Sequence, residues 1–163
     1  MLKITKGFMP EDIEPLHQLE KRCFKEAFRW RKEDLIEALE TTDIWIGVYE
    51  GKIVGCVLVE LEKESTGHIV SLCVDPAYQK QGFGRLLMEE VESSLQTAGI
   101  KTIRLEVQVD NPAQVLYFKL GYRVTGVKPR YYSNGTMGVS MAKTLKKGKP
   151  NSPHSAFSPA EPA

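Results

Sequence analysis

The chain has 163 residues, about one domain's length, and is 42% hydrophobic and 26% charged, a balance that excludes a disordered, fibrous or disulfide-stapled chain. Its 22 basic and 21 acidic residues give a formal net charge of +1, so no overall field steers it onto nucleic acid or an anionic membrane. The most apolar run, Ile53 to Val59, closes at Glu60, far short of the ~20 residues that span a bilayer as a helix.

In chain order, Leu2 to Lys6 alternates as a first strand, with no apolar stretch behind it of the kind that marks a secretory leader. A helix is expected from about Pro10, its apolar positions Ile13, Leu16, Leu19 and Cys23 falling at helical spacing, and a second over Lys32 to Leu39. Ile44 to Tyr49 and Ile53 to Leu61 flank Glu50-Gly51-Lys52 and read as a hairpin. Ile69 to Val74 is nearly all apolar, as a central strand covered on both faces would be. A helix follows over Gly84 to Ala98, stopped by Gly99, and Thr102 to Val109 then alternates cleanly as a strand. A short helix over Pro112 to Leu120 and strands at about 122–130 and 136–144 complete the order β-α-α-β-β-β-α-β-α-β-β, a mixed α/β domain with an antiparallel start and a parallel middle. Four of the nine prolines crowd into residues 150–163. Residues 1–146 are therefore expected to form one domain and 147–163 a disordered tail. Cys23, Cys56 and Cys73 form no CxxC pair, and His17, His68 and His154 lie far apart. That spacing suggests no disulfide framework and no metal, gives the histidines no role, and makes a cytoplasmic protein the default.

The informative segment runs from Val74 to Arg85, VDPAYQKQGFGR, and joins the buried strand to an amphipathic helix. Gly82 and Gly84 let the backbone turn tightly, so that N–H groups converge at a helix N-terminus as an anion site, with Lys80 and Arg85 adding charge. A plain strand-to-helix loop would also accommodate two glycines. The spacing fits neither a P-loop nor a dinucleotide fingerprint, since Leu87 stands where the latter needs a third small residue.

Gln79-Lys80-Gln81-Gly82-Phe83-Gly84 matches [QR]xxGx[GA], and in this the chain resembles the GNAT acetyltransferase superfamily. The VDPxYQxxGxG run, with Leu72-Cys73-Val74 before it, is similar to the members that acetylate protein N-termini, above all the ribosomal-protein alanine N-acetyltransferases. The resemblance implies a single GNAT-fold α/β domain. Its mixed central sheet would have antiparallel N-terminal strands and a parallel fourth and fifth pair, with helices on both faces. It implies acetyl-coenzyme A as cosubstrate, held by Leu72, Cys73, Val74, Gln79, Lys80, Gln81, Gly82, Phe83, Gly84, Arg85, Asn111 and Tyr117. Cys73 falls where the family's central strand splays from its neighbour and offers backbone N–H to the thioester. Its residue type alone suits a small buried hydrophobe.

Acetyl transfer needs a neutral amine, a stabilised oxyanion and a protonated leaving thiolate. Glu106 is the candidate base: alternation puts it on the polar face with Arg104 and Gln108, near the carboxyl end of its strand, and Leu105-Glu106-Val107 matches the segment in which the ribosomal-protein enzymes carry theirs. Tyr117, in a Leu116-to-Tyr122 run like the family's LYxxLGF, is the candidate acid, since a phenol of pKa about 10 can donate to a thiolate of pKa about 8.5. Asn111 stands six residues before it, against the family's usual seven. Tyr131 and Tyr132 resemble the tyrosine pair with which N-terminal acetyltransferases hold a substrate backbone. An α-amine (pKa about 7.7–8.0) is also easier to deprotonate than lysine (about 10.4). The expectation is direct transfer to a peptide or protein N-terminus by a monomer or homodimer, without nucleic acid or membrane. A small amine such as a polyamine or aminoglycoside, or a non-catalytic acyl-coenzyme A binder, stands as the alternative.

Overall fold

The computed structural model describes residues 1–132 and 134–146; the tail expected over 147–163, with His154 in it, lies outside the described residues. The elements are β1 (Lys3–Lys6), α1 (Ile13–Cys23), α2 (Lys32–Thr41), β2 (Asp43–Tyr49), β3 (Lys52–Glu62), β4 (Thr66–Val74), α3 (Phe83–Thr97), β5 (Thr102–Gln108), α4 (Ala113–Lys119), β6 (Arg123–Lys128) and β7 (Gly138–Thr144). This is the order expected from the sequence, with boundaries moved by one to three residues. The β2–β3 hairpin turns on Glu50 and Gly51, both at positive φ (50° and 79°), the conformation that matches the twist of the strands it joins.

The strands form one seven-stranded sheet in the order β1-β2-β3-β4-β5-β7-β6, antiparallel except where β4 runs parallel to β5. Leu16, Leu19, Leu35 and Leu39 of α1 and α2 pack with Ile44, Ile46, Cys56, Leu58 and Cys73 on one face. On the other, α3 contributes Leu87, Met88, Val91 and Leu95 and α4 contributes Tyr117, against Ile103, Leu105 and Val107 of β5. Because side chains alternate along a strand, Arg104, Glu106 and Gln108 face the α1 side.

The parallel pair is short. Register pairs run only from Thr66↔Thr102 to Ile69↔Leu105, after which β4 and β5 separate. A register slip on the other edge of β4, where Leu58 faces Ser71 and Val59 faces Ile69, leaves Val70 as the extra residue. Such a bulge bends and twists its strand, so β4 turns away from β5 just where the site lies, and its β5-facing backbone groups beyond Ile69 have no strand partner.

Candidate active site

A cleft of about 590 Å³ opens over the start of α3, lined by Leu72, Cys73, Val74, Gln79, Lys80, Gly82, Phe83, Gly84, Arg85 and Asn111. Of the residues expected to hold coenzyme, Gln81 is exposed and lines neither cavity, and Tyr117 lines the neighbouring one. Gly82 caps α3 with φ +83° and ψ 7°, a left-handed conformation that other residues adopt at a cost. Gly84 leaves little room: a Cβ there would lie 3.3 Å from Leu116 Cδ2 of α4, which would have to shift by a few tenths of an ångström. The first-turn N–H groups of α3 have no intrahelical acceptor, and with the positive end of the helix dipole they make this end of the cleft suited to an anion.

The loop is braced from several sides. Asp75 Oδ1 accepts the Ala77 N–H at 2.9 Å, and Oδ2 accepts from Arg22 Nε at 2.9 Å, tying α1 to the loop. Gln79 Nε2 donates to the Val74 carbonyl, and Phe83 packs on Tyr49 and Tyr78. Asn111 Oδ1 accepts the Ala113 N–H at 2.8 Å and so caps α4. The three cysteines, scattered in sequence, converge: Cys56 and Cys73 sit opposite each other with sulfurs 3.6 Å apart. Hydrogen bonds with Cys23 and Cys56, and burial, push the Cys73 thiol well above its ordinary value. It is a poor nucleophile.

A second cavity, about 630 Å³, lies between the separated ends of β4 and β5, and is lined by Glu20, Phe24, Phe28, Trp30, Ser71, Leu72, Glu106, Asn111, Tyr117, Tyr131 and Tyr132, among others. Phe24, Leu72 and Asn111 line both cavities, so the two meet there. Glu106, its side chain only 6% exposed, is held on both oxygens. Oε1 accepts from His68 Nε2 at 2.8 Å and lies 3.4 Å from the Tyr131 hydroxyl; Oε2 accepts from Arg104 Nη1 at 2.8 Å and lies 3.4 Å from Lys128 Nζ. Burial pushes the Glu106 carboxyl up, but the His68 hydrogen bond and the charges of His68, Arg104 and Lys128 outweigh it and hold the group below the usual glutamate value. Since an ionised carboxylate only accepts, the contact requires a proton on His68 Nε2.

His68 is the residue that the sequence reading missed, having given the histidines no role. Its partner lies on the neighbouring parallel strand, where His68 is in register with Arg104, two residues before Glu106. A length-38 gap in sequence carries no such signal. His17 likewise has a partner, its Nε2 lying 3.2 Å from the Trp30 carbonyl. Glu60, Glu62 and His68 place potential ligand atoms within 4.8 Å of one another, but Glu62 is bound through both oxygens to Arg104 at 2.7 and 2.6 Å and His68 to Glu106, which makes the group an ion-pair network.

Tyr117 is 7% exposed, and burial, helped by Tyr132, raises its phenol far above the ordinary tyrosine value. Tyr131 is 45% exposed and stands at the rim, its ring edge-on to Tyr132 at 4.9 Å, while Tyr132 is edge-on to Phe28 at 5.9 Å. Among the described residues no helix is long and apolar enough to cross a membrane.

Comparison with known proteins agrees with this geometry. The model of the acetyltransferase (GNAT) family matches residues 13–122. An uncharacterised N-acetyltransferase of Methanocaldococcus jannaschii is 27% identical over 150 residues, 91% of this chain and 93% of that protein. The catalytic subunit of the N-terminal acetyltransferase A complex of Arabidopsis thaliana is 38% identical over 109 residues, 63% of this chain but only 56% of that subunit. The crystal structure of the ribosomal-protein-S18-alanine N-acetyltransferase from Escherichia coli superposes with a TM-score of 0.81 at 25% identity, covering 93% of this chain and 99% of that one. The chain belongs to the GNAT acetyltransferase family, and it is an N-acetyltransferase that takes its acetyl group from acetyl-coenzyme A and passes it to an amine.

Proposed function

We propose that the acceptor is the α-amine of a peptide or protein N-terminus, of the ribosomal-protein alanine type, and that it attacks the thioester directly in a ternary complex. The observation that carries this reading is the aromatic rim: Tyr131 and Tyr132 stand at the mouth of the cavity that holds Glu106, where an extended backbone could reach their hydroxyls. The likeness to the plant catalytic subunit and the Escherichia coli enzyme supports the same class of acceptor.

In this reading the pyrophosphate rests on the amides at residues 81–85 and the thioester reaches the junction at Leu72 and Asn111, where the open edge of β4 offers backbone N–H to the oxyanion. Glu106 removes the amine proton, directly or through one water, and releases it to solvent, while His68, whose Nε2–H already donates to Oε1 at 2.8 Å, orients the carboxylate. Tyr117 lines the same cavity and is the candidate donor to the departing thiolate; burial keeps its phenol protonated at all working pH values and also makes it a weaker acid than an ordinary tyrosine. The raised Cys73 thiol argues for direct transfer and against an acetyl-cysteine intermediate.

A peptide-library acetylation assay with mass-spectrometric localisation of the acetyl group tests the acceptor. Acetyl on α-amines, with preference among first residues, is expected. Polyamines or aminoglycosides turned over at least as fast as peptides, or acetyl only on internal lysines, would overturn it.

A further inference from the structure

Glu20 lies on the sheet-facing stripe of α1 beside Leu16 and Leu19, only 7% exposed, and lines the acceptor cavity. Carboxylates are rarely buried without partners. Here Oε2 accepts the Trp30 backbone N–H at 3.1 Å, but Oε1 is buried without any hydrogen-bond partner in the described structure. A buried oxygen left unpaired costs free energy, and a charged one costs more. Holding Trp30 does not account for the carboxylate, because a neutral amide would accept the same N–H.

The charged and titratable groups around it are His17 and Lys21 on its own helix and Arg29 on the following segment. Glu106 on β5, Tyr117 on α4, and Tyr131 and Tyr132 share the cavity. None of them donates to Oε1. His17 is turned to the Trp30 carbonyl instead. No described protein group supplies the donor, and the donor that a carboxylate binds most strongly is a cationic one.

We propose that Glu20 captures the acceptor in its protonated form, Oε1 accepting a hydrogen bond from the –NH3+ group, so that the cavity divides its two carboxylates between amine capture at Glu20 and proton removal at Glu106. This rests on the assignment of the cavity to the acceptor. Burial raises the Glu20 carboxyl, against the lowering effect of the Trp30 N–H and the nearby cations, whereas Glu106 is lowered; environments that drive two acids apart commonly mark distinct roles. Capture needs Glu20 ionised and the amine protonated. Acceptor affinity should then fall below the raised Glu20 value and again above the amine's pKa of about 8.

The test is steady-state kinetics with an alanine-initiated peptide from pH 5 to 9. Wild-type turnover of that peptide decides the acceptor reading by itself; if a polyamine is the substrate instead, that reading fails and the Glu20 measurement is made on the polyamine. Glu20→Gln keeps an acceptor for Trp30 but removes the charge. The acceptor KM should rise about ten- to a hundredfold at pH 7, with kcat and the acetyl-coenzyme A KM within about twofold, and the gap should close as the amine becomes neutral. An unchanged acceptor KM, or a rise of equal size at every pH, would overturn the proposal. Should Glu20→Gln not fold, the wild-type enzyme suffices: a competitor peptide with hydroxyl in place of the α-amine should inhibit at least about tenfold more weakly than an amine-bearing competitor at pH 7. Equal inhibition would reject an ammonium site.

Discussion

The cleft proposed for coenzyme takes most of its wall from one stretch, Leu72 to Arg85, with α4 closing the far side, whereas the cavity proposed for the acceptor gathers Glu20 and Trp30, Ser71 and Leu72, Glu106, Tyr117 and Tyr131 from five separate parts of the chain. On the assignment proposed above, the first would recognise its ligand largely with backbone, which needs glycines at fixed positions and tolerates many side chains around them. The second works through side-chain charge, and each charge is set by neighbours far away in sequence. Damage to one should therefore appear in coenzyme affinity, and damage to the other in acceptor KM and kcat.

The largest effect is expected at the acceptor side. Glu106→Gln removes the proposed base while keeping one acceptor oxygen for its neighbours, and kcat should fall by about 10² to 10⁴, the usual range for a general base. The loss should be greatest at low pH, where the amine is mostly protonated, and fade above the amine's pKa. Because His68, Arg104 and Lys128 hold the carboxyl below its ordinary value despite burial, the wild-type enzyme should keep its base ionised until pH drops below about 4.3, the normal glutamate value. An acid limb of kcat near neutrality that persists unchanged in Glu106→Gln would assign the proton to another group. Tyr117→Phe should lower kcat with coenzyme affinity preserved, since the ring and its packing against Tyr122 at 5.9 Å remain.

The same contrast explains what could be read before the fold was known. Gly82 and Gly84 stand two apart between a strand and a helix, and the anion site follows from local backbone geometry. The alternation of β5 put Glu106 on the polar face without any tertiary knowledge. His68 was invisible because its meaning comes from the parallel register of β4 with β5; Glu20 falls on the apolar stripe of α1, four residues after Leu16, but its unpaired oxygen shows only in the folded structure. The small residue at Gly84 was evident in the sequence, but the close approach of Leu116 from α4 was not. Asn111, which the motif places at the coenzyme, lines the cleft over α3, and its Oδ1 also accepts the Ala113 N–H at the start of α4.

Next in size, Gly82→Val should raise the coenzyme A dissociation constant by about ten- to a hundredfold, corresponding to the ~1–3 kcal/mol cost of forcing a branched residue into the left-handed region or of losing the loop shape that avoids it. No neighbour lies within 4 Å of a Cβ there, so strain and not collision is at stake. Asn, which tolerates that region better, should do less harm than Val. Equal affinity in a folded Gly82→Val protein, measured by calorimetry, would separate the glycine from the anion site.

The smallest effect should come from the rim, and Gly138 offers a way to reach it without touching a hydroxyl. A Cβ built on Gly138 of β7 would lie 3.0 to 3.2 Å from the Tyr131 ring and its Cβ, closer than side chains normally approach, so Ala at this position must displace the tyrosine. Strand backbone suits alanine and the residue lies at the end of β7, so the fold should survive. The displaced ring would carry its hydroxyl away from Glu106 Oε1, now 3.4 Å distant. If Tyr131 holds the substrate backbone, Gly138→Ala and Tyr131→Phe should each raise the peptide KM a few-fold and leave acetyl-coenzyme A affinity alone. Combined, they should cost little more than either one, because both remove the same contact. Additive effects would mean that Gly138→Ala acts on the acceptor by a route other than the Tyr131 hydroxyl.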